Sequence, residues 1–223
     1  MTGIGQRLMT LAAAHTLDRV ERTVQPLSRV VEVGPGWGAF ARLCQARGYH
    51  YTAIDVNVGL LQGLGAVSAA AAFVPPLPLR DTTCDLVVAQ HVLEHVPTFV
   101  EAQAMLADMR RILRPDGCVA IVSPDLLWVK NYYWDADYSH NFPTSARRLQ
   151  QLFLDQDLEV VRIEYVYNHL SGWKGHLAGR AARLVPYRLF NAPPTSRFYL
   201  DQVYRNRLTF SRSVLIIGRR RAP

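Results

Sequence analysis

Val31-Glu32-Val33-Gly34-Pro35-Gly36-Trp37-Gly38 decides the fold. The β-branched run over residues 29–34 ends at a glycine, glycine returns at 36 and 38, and residues 39–47 read as a helix that Gly48 stops. A strand that turns this sharply into a helix lets a ligand approach the backbone with no Cβ in the way, which favours a nucleotide-like cofactor. Glu32 narrows the choice. A carboxylate among Val30, Val31 and Val33 is costly to bury unless it points into a polar site at the carboxyl end of the strand. There it meets a cation such as an amino group, and it would repel a pyrophosphate.

Outward from this stretch, strands and helices alternate. Residues 51–56 make a second strand, 60–72 an alanine-rich helix, 73–74 the start of a short third strand that Pro75 and Pro76 cut off, and 85–89 a fourth. Residues 97–113 carry the strongest helical pattern, with apolar groups at Val100, Ala104, Leu106, Met109, Ile112 and Leu113. Arg114-Pro115-Asp116-Gly117 turns the chain out of it. A fifth strand at 119–122, a helix capped by Thr144 and running to about 154, a sixth strand at 158–166 and a seventh at 213–217 complete the series. The fold class is therefore α/β, a doubly wound, mostly parallel sheet covered on both faces. Asp55, at the end of the second strand, is placed to accept hydrogen bonds from ribose hydroxyls. Gly34, Gly36 and Ala39 with Asp55 also satisfy the dinucleotide fingerprint, so a nicotinamide oxidoreductase is the rival enzyme.

A chain of 223 residues fits one domain, and no apolar run approaches the roughly 18 residues of a membrane span. Residues 1–28 read as an amphipathic helical segment ahead of that domain, with Leu8, Leu11, Leu17, Val20 and Val24 recurring opposite Asp18, Arg19, Glu21 and Arg22. The apolar stretch at 8–14, which ends in Ala-x-Ala, imitates a secretory signal but stands at the bottom of the length such a signal needs. Cys44, Cys84 and Cys118 are odd in number and lack metal-ligand spacing, so reduced, buried thiols and a cytoplasmic location are expected.

Five stretches resemble, in order and spacing, the small-molecule class I S-adenosylmethionine-dependent methyltransferases. They are residues 31–40, Asp55, Leu77-Pro78-Leu79-Arg80-Asp81-Thr82-Thr83-Cys84-Asp85-Leu86-Val87-Val88, His91-Val92-Leu93-Glu94-His95-Val96, and Arg111-Ile112-Leu113-Arg114-Pro115-Asp116-Gly117. The resemblance implies a Rossmann-like sheet of seven strands with the last antiparallel, and S-adenosylmethionine as cofactor over the carboxyl ends of the first strands. By position it implies a cofactor site of Glu32, Val33, Gly34, Pro35, Gly36, Asp55, Val56 and Gln90. Related enzymes often carry an acid shortly before the Leu-Pro pair, touching the adenine amino group. Here that place falls at Phe73 or Val74, which implies an adenine contact through stacking or backbone alone.

His91, Glu94 and His95 read as His-x-x-Glu-His, which resembles the zinc motif of inverted zincins and, more loosely, the metal site of some RNA-end methyltransferases. The stretch leaves a strand and meets Pro97 at once, and no third ligand stands nearby in sequence. No metal is therefore expected, and Glu94 and His95 are assigned packing or cofactor-adjacent roles. Residues 128–144 form an aromatic loop at the active-site edge, suited to a wall over an acceptor, with Tyr132, Tyr133, Trp134 and Tyr138 facing the substrate. His140 resembles a histidine found at this place in related enzymes and is the candidate catalytic base.

From Ser171 onward the chain has eleven Lys or Arg against one acid, Asp201, so the net charge of +7 belongs to the last quarter. Residues 168–210 read as a basic cap inserted between the last two strands of a methyltransferase domain over 29–223. Leu177, Ala181, Leu184 and Val185 share one helical face, with Lys174, Arg180 and Arg183 on another. That arrangement suits an anionic acceptor or peripheral contact with an anionic membrane, to which Arg219-Arg220-Arg221 adds attraction. The reaction expected is methyl transfer to a hydroxyl of a small molecule, glycan or lipid-linked intermediate, with N-methylation next. An RNA methyltransferase and a catalytically silent binding subunit are the alternatives. No appended RNA-binding motif is present in the sequence, so nucleic acid is not the expected partner.

Overall fold

Helix α1 (Gly3–Glu21) leads into β1 (Arg29–Val33), α2 (Ala39–Ala46), β2 (His50–Asp55), α3 (Val58–Gln62), β3 (Ser68–Ala71) and β4 (Cys84–Gln90). A 3₁₀ turn (Leu93–His95) follows, then α4 (Phe99–Ile112), β5 (Leu113–Pro124), α5 (Leu126–Val129), α6 (Ala146–Asp155), β6 (Leu158–Tyr167), β7 (Leu170–Ser171), α7 (Gly172–Leu184) and β8 (Ser213–Arg220). The computed structural model describes residues 3–221 apart from 132, 135–136, 169 and 185–209.

The sheet runs β3-β2-β1-β4-β5-β8-β6-β7. The pairs from β3 across to β5 are parallel, and β8 inserts antiparallel between β5 and β6, so the expected doubly wound sheet with an antiparallel last strand is present. The two-residue β7 adds an edge hairpin to β6. Strand order reverses at β1, with β2 and β3 on one side of it and β4 and β5 on the other, and that reversal opens a crevice at the carboxyl ends of β1 and β4.

Strands covered on both faces read as unbroken apolar runs, and β4 is buried from Cys84 to Ala89. On one face Val31, Val33, Ile54, Val87 and Ile121 pack against Met105, Leu106 and Met109 of α4 and Leu152 and Phe153 of α6. On the other, Val30, Ala53, Leu86 and Val88 pack with Leu17 and Val20 of α1 and Phe40 and Cys44 of α2. Helix α1 therefore completes the core and does not stand ahead of it. Leu17 and Val20 are fully buried, whereas Leu11, placed on the same face by its spacing, is exposed. All three cysteines are free and buried.

Four local readings are corrected. The helix expected over 60–72 is the five-residue α3, and the third strand lies at Ser68–Ala71 instead of 73–74. Gly63 and Gly65 end the helix, and parallel pairing with β2 outweighs the helical propensity of the alanines. The cap of α6 is Ser145, whose Oγ accepts from Arg148 N at 3.3 Å, while Thr144 Oγ1 turns inward to Ser123. Arg219 and Arg220 are no tail: they belong to β8, and their guanidinium groups donate to carbonyls of Thr23 and Leu113. Helix α7 packs through its glycines and leaves its leucine face exposed. Gly175 and Gly179 are its buried residues, lying so close to the Tyr167 ring that a Cβ at either would stand 2.6 or 2.8 Å from it, and Leu177 and Leu184 are left exposed. Val185 lies outside the described residues. No described helix is long and apolar enough to cross a membrane.

Candidate functional site

A cavity of about 520 Å³ opens at the carboxyl ends of β1, β4 and β5, a volume that suits a small-molecule site. Glu32, Gly34, Pro35, Gly36 and Gln90 line one end, Glu94, His95, Tyr133 and His140 another, and Met9, Ala12, Ala13 and Thr16 of α1 a third wall. The α1 wall was not foreseen from sequence. Its signal was a run of small residues, Ala12 and Ala13, where a surface helix would carry larger or charged groups.

Glu32 is 2% exposed yet lines this cavity, as a carboxylate at the end of a buried strand must. Tyr51 Oη donates to its Oε2, and Gln90 Nε2 donates to its Oε1 at 3.4 Å. Burial pushes its carboxyl up to about 7, because those two hydrogen bonds offset only part of the desolvation. Among the described residues no cationic side chain is a hydrogen-bond partner of Glu32, so the site favours a cation supplied by a ligand. The turn after it is held by glycine for two separate reasons. Gly34 has φ +71°, and a Cβ there would stand 2.4 Å from Val92 Cγ2. Gly36 has φ +51° with open space where a Cβ would point, leaving its backbone accessible from the cavity.

The other residues expected at the cofactor divide. Val33 is buried in the core, so only its backbone can contribute. Asp55, Val56, Phe73 and Val74 do not line the cavity; they lie on a shelf past the ends of β2 and β3. Asp55 Oδ1 accepts from Asn57 N at 2.7 Å, which fixes the carboxylate in a local turn. Val56 and Phe73 are exposed, Phe73 by 80%, and form an open apolar surface beside a carboxylate.

At the other end the chain brings together what sequence left apart. His91 and His95 do not share a helical face, because the 3₁₀ turn puts Glu94 toward His91, whose Nδ1 donates to Glu94 Oε1 at 3.1 Å. Glu94 is fully buried and also accepts from Ser123 Oγ at 2.8 Å. Its burial would raise the carboxyl, but the hydrogen bond and charge of His91, together with Ser123, hold it below the ordinary range. The third member is His140. Asn141 N and Phe142 N donate to the Glu94 carbonyl at 2.9 and 3.0 Å, docking the aromatic loop onto the turn and setting the His140 ring 5.0 Å from that of His95. His140 Nδ1 stands 2.6 Å from the Tyr133 carbonyl, which only accepts, so Nδ1 is the donor and Nε2 is the nitrogen left for a ligand.

Of the aromatic residues assigned to the acceptor, Tyr133 alone is described on the cavity wall, buried with its hydroxyl donating to the Phe142 carbonyl. Tyr138 is 97% exposed, because Ser139 N and Oγ both bind Asp137 Oδ1 and the tight turn throws the intervening side chain outward. Trp134 is half-exposed and does not line the cavity, and Tyr132 lies outside the described residues. Trp37, in the glycine turn, takes a place they were given: it lines the cavity while 65% exposed, so it stands at the mouth. Behind the loop, buried Asp125 pairs with Arg212, whose guanidinium lies over Trp128 and Tyr165, and this pins α5 to the base of β8.

Known proteins place this geometry. The chain is 26% identical over 120 residues to a malonyl-[acyl-carrier protein] O-methyltransferase of Serratia marcescens, an alignment covering 52% of this chain and 42% of that one. It spans about half the length of the curated relatives it matches. In fold it is similar to an S-adenosylmethionine-dependent methyltransferase from Archaeoglobus fulgidus, with TM-score 0.64 and 19% identity, covering 95% of this chain and 94% of the other. It is similar also to phosphoethanolamine N-methyltransferase 2 of Haemonchus contortus in complex with S-adenosylmethionine, with TM-score 0.65 and 13% identity, covering 94% of this chain and 53% of that one. The profile of the methyltransferase-domain family matches residues 6–163, most of the chain and α1 with it. The chain belongs to the methyltransferase-domain family.

Proposed function

We propose that this chain transfers a methyl group from S-adenosylmethionine to a hydroxyl of a small-molecule, glycan or lipid-linked acceptor. The observation that carries the reading is a single cavity with a cation-seeking carboxylate at one end and an imidazole nitrogen at the other. Glu32 would hold the amino group of the cofactor, Gly34 and Gly36 would offer backbone to it, and Asp55 with Phe73 would receive the nucleoside. Bound there, the cofactor supplies a methyl group already activated on a sulfonium.

What the chain adds is position. Holding two reactants in line can lower a barrier by about 7 to 11 kcal/mol, and a cavity closed by α1 on one side and the 137–142 loop on the other provides the enclosure. Met9, Ala12, Ala13, Val129 and Val166 make the wall largely apolar, which suits an acceptor with a hydrocarbon or ring body. At its reacting end His140 Nε2 takes the hydroxyl proton, a contribution of about 10²–10⁴ in rate.

The acceptor is found by profiling metabolites and lipids of a deletion strain for species lighter by one methyl group. On that acceptor, His140→Gln is expected to lower turnover about 10²-fold or more while cofactor affinity stays within twofold or so of wild type. A deletion strain with an unchanged profile, together with no transfer of labelled methyl to any extract fraction, removes the reading.

A further inference from the structure

We propose that Glu94, His95 and His140 hold one divalent first-row transition ion at the acceptor end of the cavity. Their candidate ligand atoms, one carboxylate oxygen and two imidazole nitrogens, all lie within 4.8 Å of one another. A shared ion about 2.1 Å from each, in tetrahedral geometry, holds its ligand atoms about 3.4 Å apart, so loading asks the widest pair to close by at most about 1.4 Å.

The hydrogen bonds around the trio are those of a ligand set. Histidines that bind a metal through one nitrogen almost always donate the other N–H to an oxygen that fixes the ring. His140 Nδ1 donates to the Tyr133 carbonyl at 2.6 Å. His95 Nδ1 lies 2.9 Å from Ser139 Oγ, whose own proton goes to Asp137 Oδ1 at 2.6 Å, so the serine oxygen accepts and His95 Nδ1 is the donor. Both rings therefore use Nδ1 as donor and leave Nε2 for an ion. The carboxylate of Glu94 is fixed from two sides, by His91 Nδ1 and Ser123 Oγ, and each of its oxygens keeps a further lone pair. Backbone bonds from Asn141 and Phe142 to the Glu94 carbonyl tie the two ligand-bearing segments together, so the set is preorganised. A fully buried carboxylate beside two imidazoles is completed electrostatically by a dication.

Two imidazoles and one carboxylate select zinc, cobalt, iron or manganese over the hard, oxygen-seeking magnesium and calcium. For its role the inference rests on the methyl-transfer reading, which it deepens. The trio lines the cavity, so the open positions of the ion face the acceptor, whose hydroxyl it would bind and make more acidic, the proton passing to solvent. His140 then serves as ligand where the metal-free site would use it as base.

The test uses the tag-free chain, stripped with chelator, titrated calorimetrically with Zn²⁺ and loaded in parallel with Co²⁺ for visible absorption. One ion per chain is expected, with cobalt ligand-field bands. His95→Gln and His140→Gln should each weaken Zn²⁺ roughly tenfold or more, while His176→Gln, outside the trio, leaves it unchanged. Either no Zn²⁺ or Co²⁺ bound by the folded wild-type chain, or binding that both cluster variants retain at full affinity, overturns the site. S-adenosylmethionine titrated into the same stripped protein separates the two readings: cofactor binding without ion binding overturns the ion site alone, and ion binding without cofactor binding supports the ion site while removing the methyl-transfer reading.

Discussion

Replacing Glu32 by Gln separates what the cofactor site costs from what it does. In the folded chain, burial holds the Glu32 carboxyl at about 7, against an ordinary 4.5. Between those values the unfolded chain has given up a proton that the folded chain keeps, so stability falls as pH rises through the window and then levels off above 7. A gap of this size corresponds to about 3 kcal/mol. Gln has the same shape, can keep the hydrogen bond from Tyr51, needs only a flip of the Gln90 amide at its other end, and does not ionise. Urea unfolding of the cofactor-free chain should therefore find Glu32→Gln close to wild type near pH 4.5 and more stable by up to about 3 kcal/mol at pH 8. The same change removes a charge-assisted contact, so S-adenosylmethionine should bind about ten- to a hundredfold more weakly at pH 8, a loss of about 1.5–3 kcal/mol. In the wild type, affinity should rise with pH through about 7, because only the ionised carboxylate pairs with the amino group, and the mutant should lose that rise. A mutant no more stable than wild type at pH 8, or one with the cofactor affinity and pH profile of wild type, would refute the reasoning.

Gly34→Ala places a Cβ 2.4 Å from Val92 on a left-handed backbone. That conformation alone costs roughly 1–2 kcal/mol, so calorimetry should find cofactor binding lost in a chain that circular dichroism still shows folded, and normal binding would mean the turn is not where the cofactor lies. Asp55→Ala should weaken the cofactor about ten- to a hundredfold, and unchanged affinity would take the shelf of Asp55 and Phe73 out of the site. Exposed Trp173, Leu177 and Leu184 on α7, beside Lys174 and Arg180, should carry the chain upward with anionic liposomes at low salt and release it at high salt. Arg180→Glu should weaken this by about 1 kcal/mol or more, and failure of the wild type to float at low salt would leave α7 as a cap on Tyr167 alone.

Short-range signals were legible in the sequence. The glycine turn, the acid at Glu32 inside an apolar strand and the alternation of strands with helices all depend on residues a few positions apart, where a sharp turn or an alternating pattern leaves a local mark. Long-range convergence was not. His140 meets Glu94 and His95 only because the backbone of Asn141 and Phe142 docks on the 3₁₀ turn, a contact with no periodicity to announce it. The packing face of α7 left no such mark, because leucine spacing picks out one face whereas close approach to Tyr167 selects Gly175 and Gly179. Tyr138 was misread because aromatic composition says nothing of direction, and the hydrogen bonds of Asp137 to Ser139 turn it outward. The cavity has no local signature at all, since α1, the loop and β6 each supply part of its wall.

Calorimetric titration of the purified chain with S-adenosylmethionine and, separately, with NAD tests the central claim most directly. The account predicts one molecule of S-adenosylmethionine bound per chain, weakened in Glu32→Gln, and no heat of binding from NAD. Saturable NAD binding, or no S-adenosylmethionine binding by the folded chain at millimolar concentration, would contradict it.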